Sequence, residues 1–134
     1  MPFQISKEIS FCYGHRLLNY SGKCRHLHGH NGRVELILDG VELDDRGMLV
    51  DFGDVKAPMK HWIDTNLDHR MLLNSSDPII PYLQGVGEPL FLMDSNPTAE
   101  NIAKTLYIAA KELKLPVTQV RFWETDTSTA SYRE

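Results

Sequence analysis

Along residues 3–15 apolar and polar side chains alternate roughly and end in Phe11-Cys12-Tyr13, which predicts a strand delivering His15. Residues 16–25 carry Asn19, Ser21 and Gly22 and read as a loop. A second strand is predicted over 27–39, with Val34, Leu36 and Leu38 on one face and Glu35 and Ile37 on the other. By the same parity, His28 and His30 lie at the start of the Val34 face. Asp44-Asp45-Arg46-Gly47 reads as a turn and residues 48–52 as a short strand. Over 54–66, Val55, Met59, Trp62 and Ile63 fall on one helical stripe; Pro58 suits such a helix only in its first turn. Residues 73–95 hold Pro78, Pro81, Gly85, Gly87 and Pro89 and read as irregular, with a short apolar strand at 90–93. The clearest helix spans 97–113, with Asn96 as N-cap, Pro97 at its first position and Glu100 in its first turn. Its buried stripe is Ile102, Leu106, Ala109, Ala110 and Leu113. Residues 117–124 form a last long strand, and 127–132 extend it or pair beside it.

Strands on either side of a helical middle suggest an α+β domain, with helices packed on one face of an antiparallel sheet. Two helices cover only one face, so the other must meet water or another subunit. The 134 residues suit one domain, 1–134, with a proper core, and no repeat or linker divides them.

The net charge of −4 argues against a nucleic-acid-binding surface. It leaves room for a local basic pocket and an anionic small molecule. Two cysteines, Cys12 and Cys24, make no disulfide framework. The first residues have no apolar core of a signal peptide, and no run reaches membrane-span length. The expectation is a cytoplasmic protein with free thiols.

The densest chemistry is Cys24-Arg25-His26-Leu27-His28-Gly29-His30. Histidines two apart on a strand present both imidazoles to one side, and His15 ends the preceding strand. Three neutral imidazoles with an open fourth position are the ligand set of a catalytic zinc. The plain alternative is three polar residues at a loop edge. His26 shares the parity but lies nearer the loop. Cys24 is a third ligand, a reactive thiol or a small buried apolar residue. A free thiol with a pKa of about 8.5 becomes a useful base or nucleophile only beside a cation. Leu67-Asp68-His69-Arg70 places a carboxylate beside an imidazole, or simply ends a helix with dipole-compatible charges. Glu124, among apolar strand residues, either faces solvent or needs a partner. A carboxylate can accept two parallel N–H donors from an aminopyrimidinone edge. No carboxylate has the spacing of a metalloprotease base, which disfavours a zinc hydrolase.

His15, the Cys24-x3-His28-Gly-His30 run, Leu67-Asp68-His69, Pro97-Thr98-Ala99-Glu100-Asn101 and Glu124-Thr125-Asp126 stand in the order seen in a known group. In this the chain resembles the 6-pyruvoyl-tetrahydropterin synthase superfamily, which includes the 6-carboxy-tetrahydropterin synthases. The likeness spans nearly the whole chain. It implies the tunnelling fold (T-fold): a four-stranded antiparallel sheet with two helices on one face. Three subunits would close a barrel, two trimers would stack into a homohexamer, and sites would lie at subunit interfaces.

By that resemblance His15, His28 and His30 are zinc ligands and Cys24 is the general base. Asp68 and His69 relay protons, Glu124 anchors the pterin, and Thr98 and Glu100 line its pocket. The three-residue spacing from Cys24 to His28 resembles the carboxy branch. The implied reaction takes 7,8-dihydroneopterin triphosphate to 6-carboxy-5,6,7,8-tetrahydropterin, losing triphosphate and acetaldehyde, with zinc as Lewis acid. Such a product serves queuosine and other deazapurine synthesis. The alternatives are a 6-pyruvoyl-tetrahydropterin synthase, another pterin side-chain lyase, and a non-catalytic zinc- or pterin-binding subunit. Lys23, Arg25 or Arg16 would meet the phosphates or stay as solvated loop charges. Two departures stand out: Tyr13-Gly14 replaces a pair of small residues, and the 73–95 stretch is long.

Overall fold

The computed structural model describes residues 1–134. Strands β1 (Phe3–His15) and β2 (His28–Gly40) form a long antiparallel ladder, joined by a loop with a single 3₁₀ turn at Lys23–Arg25. Then come α1 (Phe52–Asn66), β3 (Arg70–Asn74), α2 (Ile80–Gly85), β4 (Leu90–Met93), α3 (Ala99–Glu112), β5 (Gln119–Thr125) and β6 (Ser128–Tyr132). The architecture is α+β, as expected.

The sheet corrects the expectation of four antiparallel strands. It has six, in the order β4-β3-β1-β2-β5-β6. β3 runs parallel to β1, and β4 parallel to β3. The added strands are five and four residues long, too short to show a period, and their pairing is non-local. The irregular 73–95 stretch therefore contains β4, the end of β3 and the short α2. The segment 127–132 pairs beside β5 as an antiparallel strand.

Three local expectations fail for identifiable reasons. Residues 48–52 form no strand; Asp51 instead caps α1, accepting from the Gly53 N–H at 2.8 Å. The helix thus begins at Phe52 and carries Pro58 in its interior, where it withholds an N–H from the Asp54 carbonyl. Asn96 does not cap α3; Thr98 does, accepting from Asn101 N–H at 3.2 Å. Asn96 is used elsewhere: its amide donates to the Leu18 carbonyl (2.8 Å) and accepts from the Leu18 N–H (3.0 Å). It therefore pins the 16–25 loop to the start of α3.

The core lies between one sheet face and α1 with α3. Ile9, Phe11 and Tyr13 from β1, Val34, Leu36 and Leu38 from β2, and Val120 and Phe122 from β5 meet Val55, Met59 and Ile63 of α1 and Ile102 and Leu106 of α3. The opposite face is polar. Glu8 pairs with Arg33 at 3.4 Å, Glu35 with Arg121 at 3.2 Å, and the Arg33 guanidinium lies 4.3 Å over Trp123. Leu73, Ile80 and Leu83 form a small separate cluster under α2.

Gly32 sits opposite Phe11, and its missing side chain makes room for aromatic rings. A Cβ there would stand 2.7 Å from Phe122 Cζ and 3.0 Å from Tyr13 Cε1. Both rings are buried and cannot retreat. Gly32→Ala should cost about 1–3 kcal/mol of folding stability by overpacking, read as a lower urea midpoint; an unchanged midpoint would refute this packing account.

Candidate metal centre and active site

The β1–β2 register sets His15 opposite His28, and Tyr13 opposite His30. All four side chains share the core face. The ligand-type atoms of His15, His28 and His30 lie within 4.8 Å of one another. His15 is almost wholly buried, the other two partly so.

Two of the rings are aimed by backbone carbonyls. His15 Nδ1 bonds Pro97 O at 2.7 Å, and His28 Nδ1 bonds His26 O at 2.7 Å. A carbonyl only accepts, so each Nδ1 carries the proton and each Nε2 presents a lone pair. The Nε2 atoms of His15, His28 and His30 are all buried without a hydrogen-bond partner. Three orphaned imidazole nitrogens close to one another, two of them on rings held by outer carbonyls, are what a divalent metal requires. His26, whose ring has no assigned task, thus contributes through its carbonyl.

Burial pushes the His15 pKa down from 6.5 to about 4, aided by the neighbouring His28 and His30 and opposed by the Pro97 carbonyl. Burial also lowers His30, against the pull of Glu124. Both shifts favour the neutral ligand form. Tyr13 packs edge-on against His15, with centroids 5.2 Å apart. Its buried hydroxyl has no partner. Burial, with Glu124 nearby, raises its pKa and keeps it protonated. Tyr13 was visible in the sequence only as an unusual large residue before the first histidine.

Glu124, on β5, joins this cluster. Its Oε1 is 3.4 Å from His15 Nε2 and 3.7 Å from His30 Nε2. Thr98 spends its hydroxyl on capping α3, next to the Pro97 carbonyl that holds His15. Glu100 is exposed in the first turn of α3. Cys24 is half-buried in the 3₁₀ turn, and its sulfur belongs to no ligand cluster. Arg16 is taken by the buried Asp77 through two contacts, one of 2.7 Å from Nε, which holds the Asp77 carboxyl below its ordinary range. Arg25 donates to the Ser21 and Gly22 carbonyls.

A second array lies on the other face of β1. His69 Nδ1 bonds Asp68 Oδ2 at 2.8 Å, and His69 Nε2 meets Cys12 Sγ at 3.3 Å. The Cys12 N–H donates to Asp68 Oδ1 at 3.1 Å, and the His69 N–H to the Cys12 carbonyl at 2.7 Å. Burial alone would raise the Asp68 carboxyl, but these hydrogen bonds hold it below the usual range. His69 has a φ of 59°, a left-handed conformation uncommon outside glycine, fixed by this ring of contacts. Sequence gave no signal that Cys12, 57 residues away, would meet it.

In metal-free protein His15 makes stability depend on pH. Between about 4 and 6.5 the unfolded chain binds the proton and the folded chain does not. Stability should therefore fall as pH drops through that window, by up to about 3 kcal/mol. Denaturant midpoints measured from pH 7 to 4 check this, and His15→Gln should flatten the slope.

No helix is long and apolar enough to cross a membrane. Residues 4–134 match the family described as 6-pyruvoyl tetrahydropterin synthase. A 6-carboxy-5,6,7,8-tetrahydropterin synthase of Rickettsia bellii is 38% identical over 100 residues, covering 73% of this chain and 72% of that protein. The protein of the same name in Haemophilus influenzae is 33% identical over 140 residues, covering 98% and 99%. Among solved structures, an uncharacterized protein of Wolinella succinogenes superposes with a TM-score of 0.79 at 30% identity, covering 98% and 97%. The 6-pyruvoyl tetrahydropterin synthase of Caenorhabditis elegans gives 0.73 at 25% identity, covering 98% and 95%. The tunnelling fold, the histidine cluster and these matches agree: the chain belongs to the 6-pyruvoyl tetrahydropterin synthase family.

Proposed function

We propose that the protein is a zinc-dependent lyase. It converts 7,8-dihydroneopterin triphosphate to 6-carboxy-5,6,7,8-tetrahydropterin, releasing triphosphate and acetaldehyde. The observation that carries this reading is the trio of buried, partnerless Nε2 atoms on His15, His28 and His30. The names of the relatives support the carboxy product.

Zinc held there supplies Lewis acidity toward the hydroxyls of the substrate side chain and makes their protons easier to remove. The chain does the rest. Glu124 accepts the paired N–H groups of the pterin edge. Thr98 and Glu100 border the ring from the start of α3. Cys24 takes a side-chain proton as its base. His69 passes protons through Nε2, with the ionised Asp68 fixing its tautomer. Tyr13 and the core rings keep the metal side dry.

Strand parity adds a constraint. His15 points from the core face of β1, whereas Cys12, and His69 with it, lies on the opposite face. One chain cannot turn both arrays onto one substrate. The working site combines His15, His28 and His30 of one subunit with Asp68 and His69 of another, in a cytoplasmic homohexamer built as a dimer of trimers.

Incubating zinc-loaded protein with 7,8-dihydroneopterin triphosphate should yield acetaldehyde and a carboxylated pterin by mass spectrometry. A product retaining its full side chain would point instead to a 6-pyruvoyl-tetrahydropterin synthase. Cys24→Ala should abolish turnover with zinc content unchanged; full function in that variant would favour a non-catalytic binding subunit. Shared sites have their own test. His28→Ala and His69→Ala should each be inactive alone and regain activity when co-expressed. Persistent inactivity of the mixed assembly would place both residues in one chain's site.

A further inference from the structure

A proton relay through Asp68 and His69 makes no use of the Cys12 thiol beside them. Ligand-type atoms of Cys12, Asp68 and His69 lie within 4.8 Å of one another. Cys12 Sγ stands 3.3 Å from His69 Nε2. A metal bonded at about 2.3 Å to sulfur and about 2.0–2.1 Å to nitrogen would see donors at that spacing about 100° apart. That is near the tetrahedral angle, so neither atom has to move far to share one ion.

The imidazole is prepared for such an ion. His69 Nδ1 donates to Asp68 Oδ2 at 2.8 Å. Against burial, hydrogen bonds hold that carboxyl below its usual range, so it is ionised. A carboxylate behind the ring fixes the tautomer, leaves Nε2 with its lone pair outward and makes it a stronger donor to a metal. Asp68 Oδ1 accepts from the Cys12 N–H at 3.1 Å, and the Cys12 carbonyl accepts from the His69 N–H at 2.7 Å. Both donors thus belong to one closed ring of contacts, and the left-handed His69 backbone, with its φ of 59°, is held with them. Little ordering remains to oppose binding. The His69 side chain is 78% exposed, so an ion reaches it from solvent. The other thiol, Cys24, belongs to no such group.

We propose that Cys12 and His69 form a second metal site, for a thiolate-seeking divalent cation such as Zn2+ or Cd2+, with Asp68 behind the imidazole and water in the remaining positions. Sulfur with imidazole selects such ions over Mg2+ and Ca2+, which take oxygen donors. On binding, bonds form from the metal to Sγ and Nε2, the S–H bond breaks and its proton goes to solvent. No atom changes oxidation state. Strand parity keeps this site off the histidine cluster of the same chain, because Cys12 lies on the face of β1 opposite His15. A metal there takes the Nε2 lone pair that a proton relay needs, so excess metal inhibits. That consequence rests on the relay reading of His69 given above; the site itself does not.

The test uses the full-length protein loaded with one equivalent of Zn2+ and then titrated with Cd2+, whose bond to a thiolate gives an ultraviolet charge-transfer band that imidazole ligands do not. Wild type should gain that band with a second equivalent of metal per chain. Cys12→Ser should lose it and Cys24→Ser should keep it, with circular dichroism checking the fold of each. Asp68→Asn leaves both donors in place and should weaken Cd2+ binding about 10–100-fold in chelator competition. No band in wild type, survival of the band in Cys12→Ser, or its loss in folded Cys24→Ser would each overturn the site. Wild-type Cd2+ affinity in Asp68→Asn would overturn the part given to the carboxylate. A second equivalent of Zn2+ should slow turnover of 7,8-dihydroneopterin triphosphate at least about a hundredfold, and a weak chelator should restore it. Unslowed turnover with the band present would overturn the inhibition and leave the site standing. Absence of any turnover, with the band present, would sink the proposed reaction without touching the site.

Discussion

Thirteen residue pairs join β1 to β2, from Phe3 opposite Gly40 to His15 opposite His28. Everything chemical about the chain depends on that register. It places His15, His28 and His30 on the face that also carries Phe11, Val34 and Leu36, so the histidines inherit the edge of the hydrophobic core. A slip of one residue would turn every side chain of one strand to the other face. The apolar alternation along both strands forbids the slip, because it would expose Ile9, Phe11 and Tyr13 together. The core thus enforces the metal geometry.

The facing of those side chains, though not the pairing itself, was legible in the sequence. The parity of His28 and His30 with Val34, Leu36 and Leu38, and the placing of His15 at a strand end, came from alternation alone. What stayed hidden is non-local or carried by backbone. The parallel pairings of β3 and β4 lack a period of their own. The carbonyls of Pro97 and His26 have no residue-type signature, yet they set the tautomers of two ligands. Thr98 took the capping task expected of Asn96. Both are good capping residues, and the demand of the 16–25 loop for a tether decided between them. Glu124 was singled out as an anchor for a ligand's edge; only the structure sets it beside the histidines.

The second array shows the other use of the sheet. β1 carries His15 toward the helices and Cys12 away from them, so one strand serves two faces three residues apart. The thiol that meets His69 within the chain is Cys12, while the resemblance assigns the base role to Cys24. The two thiols need not compete. With Nδ1–H given to the ionised Asp68, His69 Nε2 is an acceptor, and the Cys12 S–H is the donor that occupies it. Cys12 thereby holds the ring in place, as its backbone also holds Asp68 and the strained His69 peptide. A thiol is a weak donor and is readily exchanged for a stronger partner brought by another subunit or by substrate.

Stability and function meet at the orphaned nitrogens. A buried acceptor without a partner costs about 1–3 kcal/mol, and this fold keeps three of them side by side. Burial of the Tyr13 hydroxyl without a partner adds to the strain. A chain selected only for stability would fill the site with apolar side chains, as it does with Phe11 further along β1 and Val34 further along β2. The deficit is confined to the one place where a metal would cancel it, and a metal that binds only the folded state would stabilise it by an amount that grows with the logarithm of its concentration over its dissociation constant. With carbonyls aiming His15 and His28, and burial favouring the neutral form of His15 and His30, the site is poised for a cation before one arrives.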